Sequence, residues 1–425
     1  MQKIYLIFIS AVMLILSGCF NGKNDRYIVD NISAASHLAA DIPNNEKADL
    51  LAKDAEELFS ADGYSEAVKV SEEALKINPF NTKAQFIYYL SRYMLVNKGI
   101  FVRLKPLFEK YPLATSKLKQ QLDQIKIDST TGLVKFFEMG SPDINTIGEF
   151  QNYLDESIIE ALNFQSFLIS NEDKTLVLKP SSLFLTDLTE RFVEACEIKE
   201  TENLEFELKC PEDRVRSEAM LNSADFEMLY DAMTMSIVVV ESYNSYTLDG
   251  LLEESNKAEF ENTPAADVFN NLIKNHSRFG LLRKNNRLGN IRPSVKRLIA
   301  SLNWIIDNQN TICPVGYDNP NNRPGMFFYK GSCLPKSFKS YLNQYESYLR
   351  DDAQNFVIGK NISYKTKINY TAFLTKPILD LKKLGPVKVN ACDYMTYVQD
   401  VTLAGIFPYG DANKVLEANA AECNQ

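Results

Sequence analysis

Histidine is nearly missing from this chain: only His37 and His276 occur in 425 residues. A serine or cysteine nucleophile needs a basic partner, most often an imidazole. His37 stands among Ala34, Ala35, Ala39 and Ala40, a helix-packing context. His276 follows Leu272 and Ile273 at a predicted helix C-terminus, where a charged ring complements the macrodipole. Both read as structural. Closely spaced cysteines are lacking too, so no zinc-type ligand set is present. Neither the P-loop pattern nor the dinucleotide fingerprint occurs, and the span from Gly280 to Gly289 has the wrong spacing with no strand before it. No catalytic residue, metal or cofactor is therefore expected. Carboxylate pairs such as Glu194 with Glu197, or Asp351 with Asp352, could serve a glycosidase, but each reads better as a solvated helix face.

Excess positive charge is also absent. There are 46 basic against 55 acidic residues, a net charge of −9, and no basic stripe interleaved with aromatics. Nucleic acid is thereby excluded as a partner, because binding a phosphate backbone depends on Lys and Arg. The one long apolar run, Ile4 to Leu16 behind Lys3, is too short to span a bilayer and has the form of an export signal. It ends in Leu16-Ser17-Gly18-Cys19, which resembles the lipobox of bacterial lipoproteins: a large apolar residue, two small ones and a thiol. The resemblance implies that residues 1–18 are removed and that Cys19 carries three acyl chains. At about 0.8 kcal/mol per buried methylene, such an anchor is effectively permanent. Residues 19–27, with Asn21-Gly22-Lys23-Asn24-Asp25, form a polar tether. Phe20 stands where an Asp would resemble an inner-membrane retention signal, which favours the outer membrane, on its periplasmic face or at the cell surface.

Six cysteines remain in that disulfide-permissive setting: Cys196, Cys210, Cys313, Cys333, Cys392 and Cys423. Several pairings are formally open. Sequential pairing is the simplest, closing loops of 14, 20 and 31 residues, each stabilising by roughly 2–4 kcal/mol if unstrained. All six lie beyond residue 195, so the N-terminal part must hold by helix packing.

A mainly α fold is expected: helix-pair repeats over residues 28–125, packed on a larger helical domain over 126–425 with small β hairpins and three stapled loops. Pro43, Pro79 and Pro112 end successive segments at intervals of 36 and 33 residues. In the middle unit Leu51, Ala55, Leu58 and Phe59 line one helix, Gly63-Tyr64 makes the turn, and Ala67, Val70, Ala74 and Leu75 line the next. The small residues Ala55, Ala67 and Ala74, with Asn78-Pro79-Phe80-Asn81 as the following turn, resemble a tetratricopeptide (TPR) repeat. Pro106 falls inside the next second helix and must kink or delay it. So few repeats should lean on the rest of the chain.

Beyond residue 140, Thr146 with Glu149 forms a capping box before a face of Phe150, Leu154, Ile158, Ala161 and Leu168. From Phe226 to Val240 the chain is apolar on every side, the mark of a central helix. Val295, Leu298, Leu302, Ile305 and Ile306 make one further stripe, and Phe338, Leu342, Tyr345, Leu349 and Phe356 another. Strands are predicted at Thr175 to Leu178, Leu204 to Leu208, Phe327 to Lys330 and Tyr364 to Phe373, the first two pairing into a small sheet. The proline- and glycine-containing segment from Cys313 to Cys333 reads as a stapled surface loop. Leu403-Ala404-Gly405-Ile406-Phe407-Pro408, before a last short helix opened by Asp411, is similar to the tails of repeat-containing lipoproteins of Gram-negative bacteria, a resemblance that implies no activity.

These features predict a helical scaffold or adaptor of the cell envelope, tethered to the membrane through Cys19 and binding a protein or peptide. First-helix positions Leu51, Asp54 and Phe59, with Gln85, Tyr88 and Tyr89, are the candidate contact residues. The other reading is a small-molecule or lipid-binding lipoprotein accessory to an envelope transport system, its 25 Phe and 21 Tyr lining a pocket.

Overall fold

A computed structural model of the chain describes residues 42–60, 63–116, 119–120, 136–178, 197–200, 206–209, 219–257, 265–312, 336–350, 352–358, 364–389 and 395–420. The expectations for the signal, Cys19, the tether, His37, the six remaining cysteines and the strand at Phe327 to Lys330 lie outside the described residues.

The protein is mainly helical, as predicted. Helix α1 (Ile42–Glu57) and α2 (Tyr64–Ile77) form a hairpin, and α3 (Thr82–Val96) packs against both. Ala55, Ala67 and Ala74 are fully buried, which lets the helix backbones approach closely. Asn81 begins α3 as its N-cap, the Oδ1 accepting from the Ala84 N–H at 2.9 Å. The chain then breaks near Pro106. Helix α4 (Ile100–Arg103) stops at Leu104, and α5 (Lys105–Lys110) starts with the proline in its first turn, where its missing N–H costs nothing.

Helix α6 (Ile147–Ser170) opens on the capping box of Thr146 and Glu149. Its Phe150, Leu154, Ile158, Ala161 and Leu168 are all buried. It packs on α3, so the first three helices are supported from outside their own layer. One apolar core runs through both: Phe86 meets Phe59, Phe164 and Phe167 at ring-centroid distances of 6.4, 5.7 and 6.1 Å, and Phe167 meets Phe226 at 6.0 Å. Buried amides sew the same interface, the Tyr153 hydroxyl donating to Asn97 Oδ1 at 2.6 Å.

Strand β1 (Leu176–Leu178) comes after α6. Strands β2 (Glu197–Glu200) and β3 (Phe206–Lys209) pair with each other, and β4 (Ala219–Leu221) pairs antiparallel with β1. The sheet predicted between the first two β segments is therefore not formed. The alternating segment near residue 206 takes the nearer partner β2 in a local hairpin, and β1 takes β4. Closing a shorter loop costs less entropy for the first pair.

Helix α7 (Ser223–Asn244) starts on a second capping box, Asn222 with Asp225, and is buried on nearly every side, the central helix the sequence predicts. Helices α8 (Leu251–Ser255) and α9 (Ala265–Asn275) come next. Helix α10 (Leu288–Ile312) lays Leu298, Leu302, Ile305 and Ile306 against α7. Helix α11 (Phe338–Tyr348) packs on α10 through Leu342. The longer stripe expected there is cut short. Tyr345 is 62% exposed and turns sideways onto Tyr348, while Phe356 belongs to β5 (Gln354–Ile358), which pairs with β6 (Tyr364–Ile368). Tyr348 is where the helix ends, so a period-3.6 register cannot continue to Phe356.

In the C-terminal part α12 (Ala372–Thr375) packs on α10, while the short pair β7 (Lys388–Val389) and β8 (Met395–Tyr397) and α13 (Ala412–Ala420) gather around Ile368, Val398, Phe407 and Val415. The strand predicted to Phe373 ends at Ile368, since Asn369 and Thr371 bond one another and turn the chain into α12. Before α13, Leu403, Ala404 and Gly405 all take positive φ (46°, 57° and 83°), a turn held by Asp400, whose carboxylate accepts from the backbone N–H of Thr402 at 2.9 Å and of Ala404 at 2.8 Å.

Candidate functional site

The first helix layer carries an open groove of about 350 Å³, lined by Asp49, Ala52, Lys53 and Glu56 of α1, Lys83 of α3, and Val177 and Leu178 of β1. The α1 residues fall at spacings of three and four, which places them on one helix face. That face is organised by the turn leading into α3. While Asn81 Oδ1 caps the helix, its Nδ2 donates to Asp49 Oδ1 at 2.6 Å. Two turns further along α1, Lys83 Nζ donates to Glu56 Oε2 at 2.8 Å, and the Glu56 side chain is only 2% exposed. Lys53 is exposed and forms no ion pair with another described residue. The exposed Val177 supplies an apolar edge on the opposite wall. Alternating carboxylates and ammonium groups beside an apolar strand suit the reversible holding of a polar chain. The lining residues include no histidine, serine or cysteine to act as a nucleophile or its base.

The six predicted contact residues are not gathered on this surface. Leu51 is half-buried beside Ala52, Ala74 and Ala84 inside the hairpin, and Phe59 is fully buried, its ring 5.4 Å from that of Tyr64; both pack rather than face solvent. Asp54 is exposed but lies off the groove. Gln85 is half-buried: its Nε2 donates to the Pro79 carbonyl at 2.6 Å, and its Oε1 accepts from Asn171 Nδ2 at 3.3 Å. Tyr88 and Tyr89 meet edge to face at 5.2 Å against α6, Tyr89 stacking on Phe167 and Tyr88 bonding Arg92, which pairs with Glu160. The predicted positions and the groove share helices α1 and α3 but lie on different faces of them. In the sequence the groove corresponds to the charged row Asp49, Lys53 and Glu56, running beside the fully buried row Ala48, Ala52, Ala55 and Phe59.

A second polar group lies inside the protein. Helix α7 brings buried Asp225, Glu227, Asp231 and Glu241 into the core. Asp225 serves the cap. Burial pushes Glu241 up to about 8, with Arg287 at 3.8 Å opposing the shift. Burial, reinforced by Glu227 and opposed by Arg297, raises Asp231 well above the usual carboxylate range. His276, at the end of α9 as predicted, sets Nε2 3.2 Å from Glu254 Oε1.

Among the described residues no cluster of three or more His, Cys, Asp or Glu side chains is placed to hold a metal ion, and no helix is long and apolar enough to cross a membrane. The chain matches no protein-family profile, no curated protein and no solved structure.

Proposed function

We propose that this chain is an exported bacterial lipoprotein, anchored in the outer membrane through acylated Cys19, whose first helix layer holds a protein or peptide partner in the cell envelope. The observation that carries the binding part is the groove whose Glu56 and Asp49 are fixed in advance by Lys83 and Asn81. Side chains set before binding lose little entropy when a partner arrives. Helices α1 and α2, with α3 beside α1, support the TPR-like reading of this layer, in which first helices line the binding face. The lipobox-like Leu16-Ser17-Gly18-Cys19 supports the anchor.

The test keeps the full chain, expressed in a Gram-negative host, with a photo-crosslinking residue at Lys53 and, as control, at Asp173. A discrete protein adduct at position 53, absent at 173 and weakened by Glu56→Ala, is the expected result. Adducts to lipid alone at both positions would turn the reading toward a lipid-binding accessory of transport. Cys19→Ser should leave the chain unacylated; unchanged membrane partitioning of that variant in detergent extraction would remove the anchor.

A further inference from the structure

Helix α7 presents Glu227, Tyr230, Asp231 and Thr234 at the spacing of one helical face. Asp231 is 0% exposed, and neither of its carboxylate oxygens has a hydrogen-bond partner among the described residues. One turn earlier Glu227, 4% exposed, accepts from the Ser301 hydroxyl of α10 at 3.1 Å. Arg297 of α10, itself 3% exposed, supplies a cation near Asp231. Its guanidinium lies 3.8 Å from the centroid of the Tyr230 ring, and its Nη2 lies 4.0 Å from Glu172 in the turn after α6. The Nε and Nη1 of Arg297 have no hydrogen-bond partner among the described residues. Met228, Leu298 and Leu302 add apolar packing at the same interface.

Asp231 thus has a like charge one turn away in Glu227 and the guanidinium of Arg297 nearby, without a hydrogen bond to either. An ionised carboxylate enclosed without a single donor is far costlier than a neutral acid, and a like charge one turn away adds to the cost. Arg297 opposes this, but it directs no hydrogen bond to Asp231. A proton on Asp231 removes that cost without any further group.

We propose that Asp231 is a resident proton site: α7 and α10 are packed to enclose it as a neutral acid, so that their association depends on proton concentration. The groups facing it are Glu227 and Tyr230 of its own helix, Arg297 of α10 and, through Arg297, Glu172 beyond α6. The sign comes from linkage. When the interface opens, Asp231 meets water and releases its proton; above the ordinary aspartate range the closed state therefore binds more protons, and raising the pH favours opening. The closed-to-open ratio falls by at most tenfold per pH unit until the enclosed acid itself ionises, and levels off above that point.

The full chain, purified in detergent and isotope-labelled in its aspartate carboxyls, should show at neutral pH the infrared carbonyl stretch of a protonated aspartic acid, and Asp231→Asn should abolish that band. Amide hydrogen exchange across α7 and α10, corrected for intrinsic rates, should show protection falling with rising pH in the parent protein, with Asp231→Asn reducing that dependence. Absence of any protonated-aspartate band in the parent protein, or an unchanged pH dependence in Asp231→Asn, would overturn the proposal. If the variant does not fold, the labelled band in the parent protein decides alone.

Discussion

Lys83 reaches from the first turn of α3 to Glu56 on α1 and places its ammonium 2.8 Å from a carboxylate that is 2% exposed, while Lys83 itself keeps 29% of its side chain in water. The two partners therefore do not lose equally when separated. Lys83→Met removes an ammonium from an enclosed carboxylate, at a cost of about 1–3 kcal/mol, below the range of a fully buried pair because water still reaches the lysine. Glu56→Gln frees an ammonium that can turn to solvent and should cost less. Urea denaturation of both variants and the double mutant checks the order; equal losses would show that the pair is effectively solvated.

Asn81 does two things with one side chain, capping α3 and holding Asp49. Asn81→Ala should cost about 1 kcal/mol for the cap, with the Asp49 contact in addition. Asn81→Asp keeps an acceptor for the Ala84 N–H but sets a carboxylate against Asp49. It should therefore be less stable than the parent chain near neutral pH and recover in acid. A thermal melt at two pH values distinguishes the two losses.

Because Phe86 contacts Phe59, in the turn after α1, and two rings of α6 in one core, its removal is felt on both sides. Phe86→Ala should cost about 3–5 kcal/mol. Hydrogen exchange should show protection lost in α1, α2 and α6 together; loss confined to α3 would mean that the helices fold as separate units.

Glu241, 3% exposed, is held at about 8 by burial. Its folded value lies above the unfolded one, so its contribution is fully present below about pH 4.3 and is lost as pH rises toward its folded value, at up to about 1.4 kcal/mol per pH unit. Glu241→Gln should remove that slope. The difference between the two stability curves, measured by denaturant midpoints from acid to mildly alkaline pH, should flatten above the folded value.

Local features were legible in the order of the amino acids alone. The capping box of Thr146 and Glu149, the break at Pro106, the all-round apolar α7 and the buried stripe of α10 each arise from residues within a few turns of one another. Capping, proline geometry and helical period act at that range. The groove was not legible in this way. Asp49 and Lys83 lie on different helices, and Val177 enters from a strand beyond α6, so the face they share depends on how three segments dock.

By itself, then, the sequence determined which stretches coil into helices, where those helices begin and break, and which of them must be central, because short-range sterics and hydrophobic period decide these. Only the tertiary structure decided which strand β1 would pair with, that Phe59 would be core, and that Arg297 would stand near Asp231 between α7 and α10. The physical reason is distance along the chain. A pairing such as that of Glu227 with Ser301, 74 residues apart, has no local energetic signature until packing brings both groups out of water.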